Sequence, residues 1–390
     1  MSVYLDNSAT TAICDAALDK MNEVCRNVWG NPSSVHGMGV LASRELAAAR
    51  KTLLSALGGR FGAGEIIFCS SGTEADNLAI FGVARAKKRL QGGRIIITDS
   101  EHPAISNAVD ILAAEGFDIV RISTRGGVID IDELVSFVND KTLLVSIMSV
   151  NNETGARYDI KSAFSAVKRK NPETVTHTDA VQAFLKTPEQ LLLCGADMVS
   201  ISSHKIHGPK GIGALYISSP ILKAKKIVPV TYGGGQECGM RSGTENLPGI
   251  AGFAAAAEEG IANLADSLES MKKCREYFES KLDSVPELSG FKINRCKGDF
   301  VPHIISLSLL GVRSEVLLRH LSGEEIYVSS GSACSSKAKT PSKTLLNFGL
   351  DTKTADSTIR ISLSRYTTID DMDRLCDALA SGAARLARTK

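Results

Sequence analysis

Residues 197–218 read DMVSISSHKIHGPKGIGALYIS, two apolar segments separated by a polar, glycine-containing turn. The segments DMVSIS (197–202) and GALYIS (213–218) are short, apolar and bounded by polar and glycine residues, which is typical of buried strands. Lys205 comes just after the first segment, where the chain leaves the predicted sheet. This stretch therefore predicts two strands of a sheet and a polar site at the end of one of them.

The same pattern extends upstream. Two stretches with helical spacing of apolar residues, 74–90 and 103–116, alternate with further segments that read as strands. These segments are EIIFC (65–69), RIIIT (94–98), DIVRI (118–122), LLVSIM (143–148) and TVTHT (174–178). Strands alternating with helices predict an α/β fold with a mostly parallel, seven-stranded sheet covered on both faces. In such sheets, ligands bind beyond the carboxyl ends of the strands.

A second, smaller domain is predicted downstream. A long helical pattern covers residues 249–283, and residues 284–390 then mix strands such as HIISLSL (303–309) and TIRISLS (358–364) with helices. This mixture is typical of an α+β domain. We expect three parts: an N-terminal segment packed with the small domain, a large domain, and a small C-terminal domain. Their expected bounds are 1–15, 16–260 and 261–390.

Composition excludes several classes of protein. The chain has 390 residues, 43% apolar and 23% charged, which is ordinary globular usage and excludes a disordered or fibrous chain. Forty-five basic residues against 43 acidic ones leave a net charge of +2. Proteins that bind nucleic-acid phosphates usually show a clear basic excess, so we expect no direct contact with nucleic acid.

Targeting and cysteine patterns favour a cytoplasmic protein. No apolar run reaches the roughly 18–20 residues that span a bilayer, so no membrane contact is expected. The N-terminal residues show neither the basic region nor the apolar segment of an export signal. Nine cysteines, an odd number without a C-x-x-C pair, argue against a disulfide framework and against zinc or thioredoxin-like chemistry. No metal is expected.

Lys205 is the first candidate for chemistry. An unpaired ammonium is costly at the edge of a buried sheet. Partial burial lowers the pKa of a lysine and makes its amine nucleophilic, which suits Schiff-base formation. A lone lysine beside a Gly-Pro turn is nevertheless more often an exposed loop residue. His204 and His207 are possible metal ligands, but without a third donor they form only a weak candidate.

Polar residues that follow other strands favour a chemical role for Lys205 over that of an exposed loop residue. Asp179 ends the preceding strand, where a carboxylate can keep a pyridinium nitrogen protonated. SSGTEADN (70–77) is a strand–turn–helix junction whose free N–H groups can bind phosphate, although it also reads as a plain helix cap. His102 can stack on an aromatic ring or carry a proton, or can be a hydrogen-bonded turn residue. Together these residue types favour a pyridoxal phosphate site.

Ten segments then match one family, in the family's order and over nearly the whole chain. They are LDNSATT (5–11), GNPSSVHG (30–37), SSGTEADN (70–77), DSEHP (99–103), NNETG (151–155), HTDAVQ (177–182), SSHKIHGPKG (202–211), GGGQECGMRSGTEN (233–246), SSGSACSS (329–336) and STIRISLSR (357–365). The chain resembles the cysteine desulfurases of the NifS/IscS type, fold-type I pyridoxal phosphate enzymes of the class V aminotransferase group. The resemblance implies pyridoxal 5′-phosphate as cofactor, L-cysteine as substrate and a sulfur-acceptor protein as partner.

The resemblance also implies roles for single residues. Lys205 corresponds to the Schiff-base lysine that also abstracts the α-proton, Asp179 to the partner of the pyridine nitrogen, and His102 to the residue stacked over the ring. Arg360 is expected to bind the substrate carboxylate, together with Asn152, because a guanidinium fork pairs with a carboxylate in bidentate fashion. Further cofactor contacts are implied at Gly72, Thr73, Asn152, Gln182, Ser202, His204 and Thr244.

Two further predictions concern Thr244 and Cys334. Thr244 matches a threonine that reaches the phosphate across a dimer interface, so we expect a homodimer. Cys334 is flanked by serines and a glycine, which indicates a mobile or tightly turned loop rather than a core. By the resemblance, its thiolate attacks the substrate sulfur, leaving a persulfide on Cys334 and releasing alanine. Only a few per cent of an ordinary thiol is ionised near pH 7, so we expect the site, with His102 shuttling protons, to supply the rest.

Several alternatives stay open. A selenocysteine lyase, a cysteine or cystine lyase, or an aminotransferase on the same fold needs Lys205 and Asp179 but not Cys334. A catalytically silent scaffold needs none of these residues. Ser203 replaces a glycine of many relatives, and the segment after Cys334 is basic. These departures leave the acceptor open between iron–sulfur cluster assembly and tRNA thiolation.

Overall fold

The computed structural model describes residues 2–60, 62–86, 92–331 and 341–386. Their strands are β1 Val3–Tyr4, β2 Gly64–Cys69, β3 Arg94–Thr98, β4 Asp118–Ile122, β5 Thr142–Ser146, β6 Val175–Asp179, β7 Met198–Ser202, β8 Gly213–Ser218, β9 Phe291–Ile293, β10 Ile304–Leu309, β11 Ile326–Tyr327 and β12 Thr358–Ser362. Their α-helices are α1 Asp15–Asn27, α2 Gly37–Ala56, α3 Gly72–Ala86, α4 Pro103–Ala114, α5 Ile131–Phe137, α6 Ile160–Lys170, α7 Ser219–Lys223, α8 Leu247–Ala262, α9 Leu264–Ser284, α10 Ser314–Gly323, α11 Lys343–Phe348, α12 Thr352–Asp356 and α13 Ile369–Leu386.

A seven-stranded sheet forms the larger part of the molecule, in the order β2-β8-β7-β6-β5-β3-β4. Strand β8 runs antiparallel to both of its neighbours, and the other pairings are parallel. The mostly parallel α/β sheet is therefore confirmed. Its strands are continuous apolar runs because both faces are covered: Ile66 and Phe68 belong to one buried core, whereas Ile67 and Cys69 belong to the other.

A smaller sheet follows. Strands β12, β10 and β9 form an antiparallel three-stranded sheet, and the N-terminal strand β1 pairs in parallel with β11. Val3 and Leu5 share a core with residues of α9, β10, β12 and α13. We keep the predicted three-part division of the chain as a proposal, which these separate cores support.

The predicted continuous helix over 249–283 is interrupted. Helix α8 ends at Ala262 and α9 begins at Leu264, with Asn263 between them at φ −107° and ψ 10°. The Asn263 side chain donates a hydrogen bond to the Glu259 carbonyl at 2.8 Å, competing locally with the helical ladder. Among the helices of the described ranges, none combines the length and apolarity needed to cross a membrane.

Candidate active site

A cavity of about 200 Å³ opens where several strands of the large sheet reach their carboxyl ends. It is lined by Ser8, Ala9, Ser71, Gly72, Thr73, Asp76, His102, Met148, Asn152, Asp179, Val181, Gln182, Ser202, His204, Lys205 and Arg360. All predicted cofactor and substrate residues within the described ranges except Thr244 therefore lie in one place. They come from segments spread between residues 72 and 360.

Lys205 reaches this cavity from a short turn. Strand β7 ends at Ser202, and a 3-10 turn over Ser203–Lys205 redirects the chain. The Lys205 Nζ donates hydrogen bonds to the carbonyls of Ser8 at 2.5 Å and Ala9 at 2.7 Å. The N-terminal segment therefore fixes the position of the amine.

Ser203 lies beneath the turn that carries Lys205. Ser203 is fully buried and does not line the cavity. A Cβ atom at Gly208 would lie only 2.1 Å from the Ser203 Oγ, so the turn needs a glycine there. Ser203 thus packs under the turn, and the cavity wall is formed by its neighbours.

Asp179 ends strand β6 and lies in the cavity floor. It is 6% exposed, and its Oδ1 accepts a hydrogen bond from the Val181 N–H at 2.9 Å. Burial raises the pKa of Asp179, while His102 and Lys205 act in the opposite direction. A cationic group placed beside this carboxylate would offset its desolvation, which is what a pyridinium nitrogen offers.

His102 precedes helix α4 and caps it. Its Nδ1 accepts a hydrogen bond from the Ala104 N–H at 3.1 Å, and Pro103 occupies the first helical position. Burial lowers the pKa of His102, with Asp179 opposing the effect. Because Nδ1 is an acceptor, the neutral ring carries its proton on Nε2, which is left for the cavity.

The start of helix α3 forms one end of the cavity. The Ser71 Oγ accepts from the Glu74 N–H at 3.2 Å and Glu74 accepts from the Ser70 N–H at 2.6 Å, so the predicted helix cap is also present. A Cβ at Gly72 would lie 2.9 Å from the Val181 Cγ2. First-turn N–H groups have no intrahelical acceptor and attract anions. The buried Ser202 Oγ, without a hydrogen-bond partner among the described residues, adds a donor.

Arg360, on β12, is the largest fully buried side chain of the described chain. Its Nη2 donates to the Asp6 carboxylate at 2.8 Å and its Nη1 to the Asn152 carbonyl at 2.9 Å. The buried Nε finds no partner among the described residues. A guanidinium that is held on two sides with a donor left over is suited to bind a carboxylate.

Gln182 and His204 are oriented by the N-terminal segment. The Gln182 Nε2 donates to the Ser8 carbonyl at 2.9 Å. The His204 Nδ1 lies 3.1 Å from the Thr10 Oγ1, and burial lowers the pKa of His204 to about 4. His207 instead contacts the Ala12 carbonyl through its Nδ1 at 3.0 Å. In the described ranges, no three His, Cys, Asp or Glu side chains cluster in a way that could hold a metal.

Thr244 and Cys334 are the predicted residues not yet placed. Thr244 is exposed on the loop before α8. Cys334 lies outside the described residues, but both flanks of its segment lie near the site. Ser329 and Arg360 exchange backbone hydrogen bonds at 3.1 and 2.6 Å. The Ser342 Oγ donates to the Glu153 Oε2 at 2.6 Å, next to Asn152.

Several residues that the structure brings to the site were not predicted. Asp6 holds Arg360, the carbonyls of Ser8 and Ala9 hold Lys205, and Asp76 lines the cavity. LDNSATT was a recognisable motif, which was the only signal for the N-terminal contacts. Asp76 sits in SSGTEADN, one helical turn past the cap.

The residues present fit pyridoxal 5′-phosphate. A lysine amine, a buried carboxylate and a histidine share the cavity with an unpartnered buried hydroxyl and a helix N-terminus. These are the groups that would hold, in turn, an aldehyde, a pyridine nitrogen, an aromatic ring and a phosphate. The surrounding Lys205 and Arg360 also favour an anionic ligand.

Known proteins share both the sequence and the fold. The family model described as "Aminotransferase class-V" matches residues 3–375. A "NifS/IcsS protein homolog" of Lactobacillus delbrueckii subsp. bulgaricus is 37% identical, covering 96% of each chain. A "Cysteine desulfurase" of Trichormus azollae is 36% identical over 98% of this chain and 93% of its own. A solved "NIFS-LIKE PROTEIN" is 36% identical with a TM-score of 0.89, covering 99% of this chain and 100% of that one.

The chain belongs to the class V aminotransferase family, within its cysteine desulfurases of the NifS/IscS type. Members of this family generally depend on pyridoxal phosphate.

Proposed function

We propose that this enzyme uses pyridoxal 5′-phosphate to remove sulfur from L-cysteine, releasing L-alanine and leaving a persulfide on Cys334. The observation that carries the proposal is the convergence of Lys205, Asp179, His102 and Arg360 on one cavity. When bound, the cofactor would supply an electron sink next to the substrate α-carbon. Lys205 would hold its aldehyde carbon, Asp179 its pyridine nitrogen and His102 its ring face. Gly72, Thr73, Ser202 and His204 would hold its phosphate.

Arg360 binds and orients the substrate in this proposal. Asp6 and the Asn152 carbonyl already hold two sides of the guanidinium, so little side-chain freedom is lost when a carboxylate pairs with it. A carboxylate fixed in this way limits rotation of the amino acid and turns its α-proton toward one wall of the cavity. Orientation of this kind contributes to rate as well as to affinity.

Lys205 and His102 handle protons. The Lys205 Nζ, positioned by the carbonyls of Ser8 and Ala9, takes the α-proton of the substrate. His102 is neutral at physiological pH because burial lowers its pKa, so its Nε2 can exchange a proton with a thiol. Neither role requires movement of the backbone around the cavity.

Cys334 takes the sulfur. Its thiolate attacks the substrate sulfur, the bond between that sulfur and the substrate β-carbon breaks, and the carbon keeps the electron pair and gains a proton. L-Cysteine and the thiol thus become L-alanine and a persulfide, with all atoms accounted for. The contacts of Ser329 with Arg360 and of Ser342 with Glu153 support this role, since both flanks of the segment end beside the substrate arginine and Asn152.

We also propose an oligomeric state and a partner for this enzyme. Thr244 is exposed and outside its own cavity, so we propose a homodimer in which Thr244 of a second copy completes the phosphate site. We further propose a sulfur-acceptor protein in iron–sulfur cluster assembly or tRNA thiolation. A cytoplasmic location suits the eight cysteines of the described ranges, all of which are free.

Alanine release from L-cysteine with a thiol acceptor tests the function, comparing the native protein with Cys334→Ser. We expect release by the native enzyme and its loss in the variant, while the visible absorbance of the bound cofactor persists. Activity that survives the substitution would point instead to a lyase or aminotransferase on the same site. Light scattering on the eluted protein tests the dimer, and an active stable monomer would contradict it.

A further inference from the structure

Lys186 is a lysine beside the active site that the proposed reaction does not use. It lies four residues after Gln182 in a segment of turns, and its Nζ donates a hydrogen bond to the Gln182 Oε1 at 2.8 Å. Within the described ranges it forms no ion pair with a carboxylate. A partly buried amine without an acidic partner is costly to keep, so its contact with Gln182 calls for a physical explanation.

The contact belongs to a chain of hydrogen bonds that ends at Lys205. While Lys186 donates to the Gln182 Oε1, the Gln182 Nε2 donates to the Ser8 carbonyl at 2.9 Å. The same Ser8 carbonyl accepts from the Lys205 Nζ at 2.5 Å. One backbone oxygen therefore connects the amide of Gln182 with the amine of Lys205.

The chemistry of the groups permits only one orientation of the amide. The Ser8 carbonyl can only accept, so it requires the NH₂ of Gln182. The amine of Lys186 has N–H groups to donate in either charge state, so it matches the remaining Oε1. Without Lys186, the Gln182 oxygen would lose its donor, and the amide could turn away from Ser8.

Lys186 does not itself touch the cofactor cavity. It lines a separate cavity of about 40 Å³, which also contacts His303. Ser8 and Lys205 line both cavities, so they form the wall between them. Any effect of Lys186 on the reaction therefore passes through that wall.

We propose that Lys186 is a positioning residue, which fixes the Gln182 amide with its NH₂ toward the Ser8 carbonyl and thereby steadies that carbonyl, which also holds Lys205. This inference rests on the proposed function, because it assumes that Gln182 contacts the cofactor. Burial, together with Lys205 and Arg360, lowers the pKa of Lys186 well below its ordinary value, while Asp179 opposes the effect. An amine of lowered pKa can serve as a hydrogen-bond donor beside Lys205 without a full second charge.

The test is a double-mutant cycle on cofactor binding rather than on turnover. Cofactor-free native protein, Lys186→Met, Gln182→Ala and the double variant are titrated with pyridoxal 5′-phosphate by equilibrium dialysis. We expect Lys186→Met to weaken binding about tenfold, as for one lost hydrogen bond. In the Gln182→Ala background the same substitution is expected to change binding by less than twofold, since the amide oxygen that accepts from Lys186 is gone.

Matched variants separate positioning from general packing. Lys186→Arg retains donors and is expected to bind the cofactor within threefold of the native protein. Lys161→Met removes an exposed lysine of α6 and is expected to have no effect. Thermal unfolding of each cofactor-free protein checks the fold, and Lys186→Ala enters the same cycle if Lys186→Met does not fold.

Three results would overturn the inference: native-like binding by Lys186→Met, an equal loss in both backgrounds, or a loss in Lys186→Arg as large as in Lys186→Met. A native protein that does not bind pyridoxal 5′-phosphate would instead overturn the proposed function. The native titration therefore distinguishes the two failures.

Discussion

Replacing Arg360 with lysine tests how the enzyme recognises its substrate. The guanidinium donates to Asp6 and to the Asn152 carbonyl and leaves its Nε for a ligand. A lysine keeps the charge but places all its N–H groups on one atom. It can satisfy Asp6, yet it cannot at the same time serve Asn152 and form two parallel bonds with a carboxylate.

The expected loss is therefore one charge-assisted hydrogen bond to the substrate, about 1.5–3 kcal/mol. At about 1.36 kcal/mol for each factor of ten, kcat/KM for L-cysteine should fall roughly 10- to 150-fold. The fall should be shared between KM, through lost binding of the carboxylate, and kcat, through lost orientation of the α-proton.

Alanine formation is measured at increasing L-cysteine for the native enzyme, Arg360→Lys and the surface variant Arg313→Lys. Arg313 is 58% exposed and pairs with Asp356, so its substitution should leave both constants unchanged. Cysteamine, which lacks the carboxylate, should be used equally poorly by all three proteins. A kcat/KM for L-cysteine within threefold of the native value in Arg360→Lys would show that the carboxylate binds elsewhere.

Two further substitutions examine the buried charges. Asp179→Asn keeps the acceptor for the Val181 N–H but removes the charge, and losing one member of a buried pair costs about 3–5 kcal/mol, so alanine release should fall at least about 100-fold. Cofactor trapped on Lys205 by borohydride and seen by mass spectrometry should persist, and a fall below tenfold would exclude Asp179 as the pyridine partner. Burial also lowers the pKa of His177 to about 3, against about 6.5 in an unfolded chain. Between these values the unfolded chain binds one more proton, so acidification from pH 6.5 to 5 should cost the native protein about 2 kcal/mol from this residue. His177→Gln should flatten the dependence of urea midpoints on pH in this window, and unchanged slopes would contradict the assignment.

The large sheet was predictable because its strands carry unambiguous local patterns. β2, β3 and β4 are β-branched or aromatic runs that end at polar or glycine residues, and each begins within a residue of its predicted position. The interruption at Asn263 was not predictable by the same means. An asparagine fits an amphipathic helical pattern, and its non-helical backbone angles and side-chain hydrogen bond to Glu259 are visible only in the structure.

The candidate site likewise contains residues that could be predicted from the sequence and contacts that could not. Lys205, Asp179 and His102 are rare residue types at strand ends, so their chemistry and the family motifs identify them. The contact of Arg360 with Asp6 joins residues 354 positions apart, and periodicity carries no information on such pairs. The carbonyl of Ser8 is a backbone group, so no side-chain type reports it. Lys186 has no distinguishing sequence pattern, and only its hydrogen bond to Gln182 in the structure sets it apart.

The contacts that could not be predicted from the sequence come together in the N-terminal segment. Asp6 holds the arginine expected to bind the substrate, Ser8 holds the lysine expected to take its proton, and Thr11 accepts from the His207 N–H and donates to the His204 carbonyl at 3.0 Å. The stretch from Asp6 to Thr11, which turns over residues 7–9, thus sets the distance between the group expected to bind the carboxylate and the group expected to accept the proton. Because the bonds to Lys205 use backbone carbonyls, side-chain substitutions in this stretch act on Lys205 only by moving the chain. A motif that supplies none of the proposed catalytic residues can therefore position two residues of the site, Lys205 through backbone carbonyls and Arg360 through the Asp6 carboxylate.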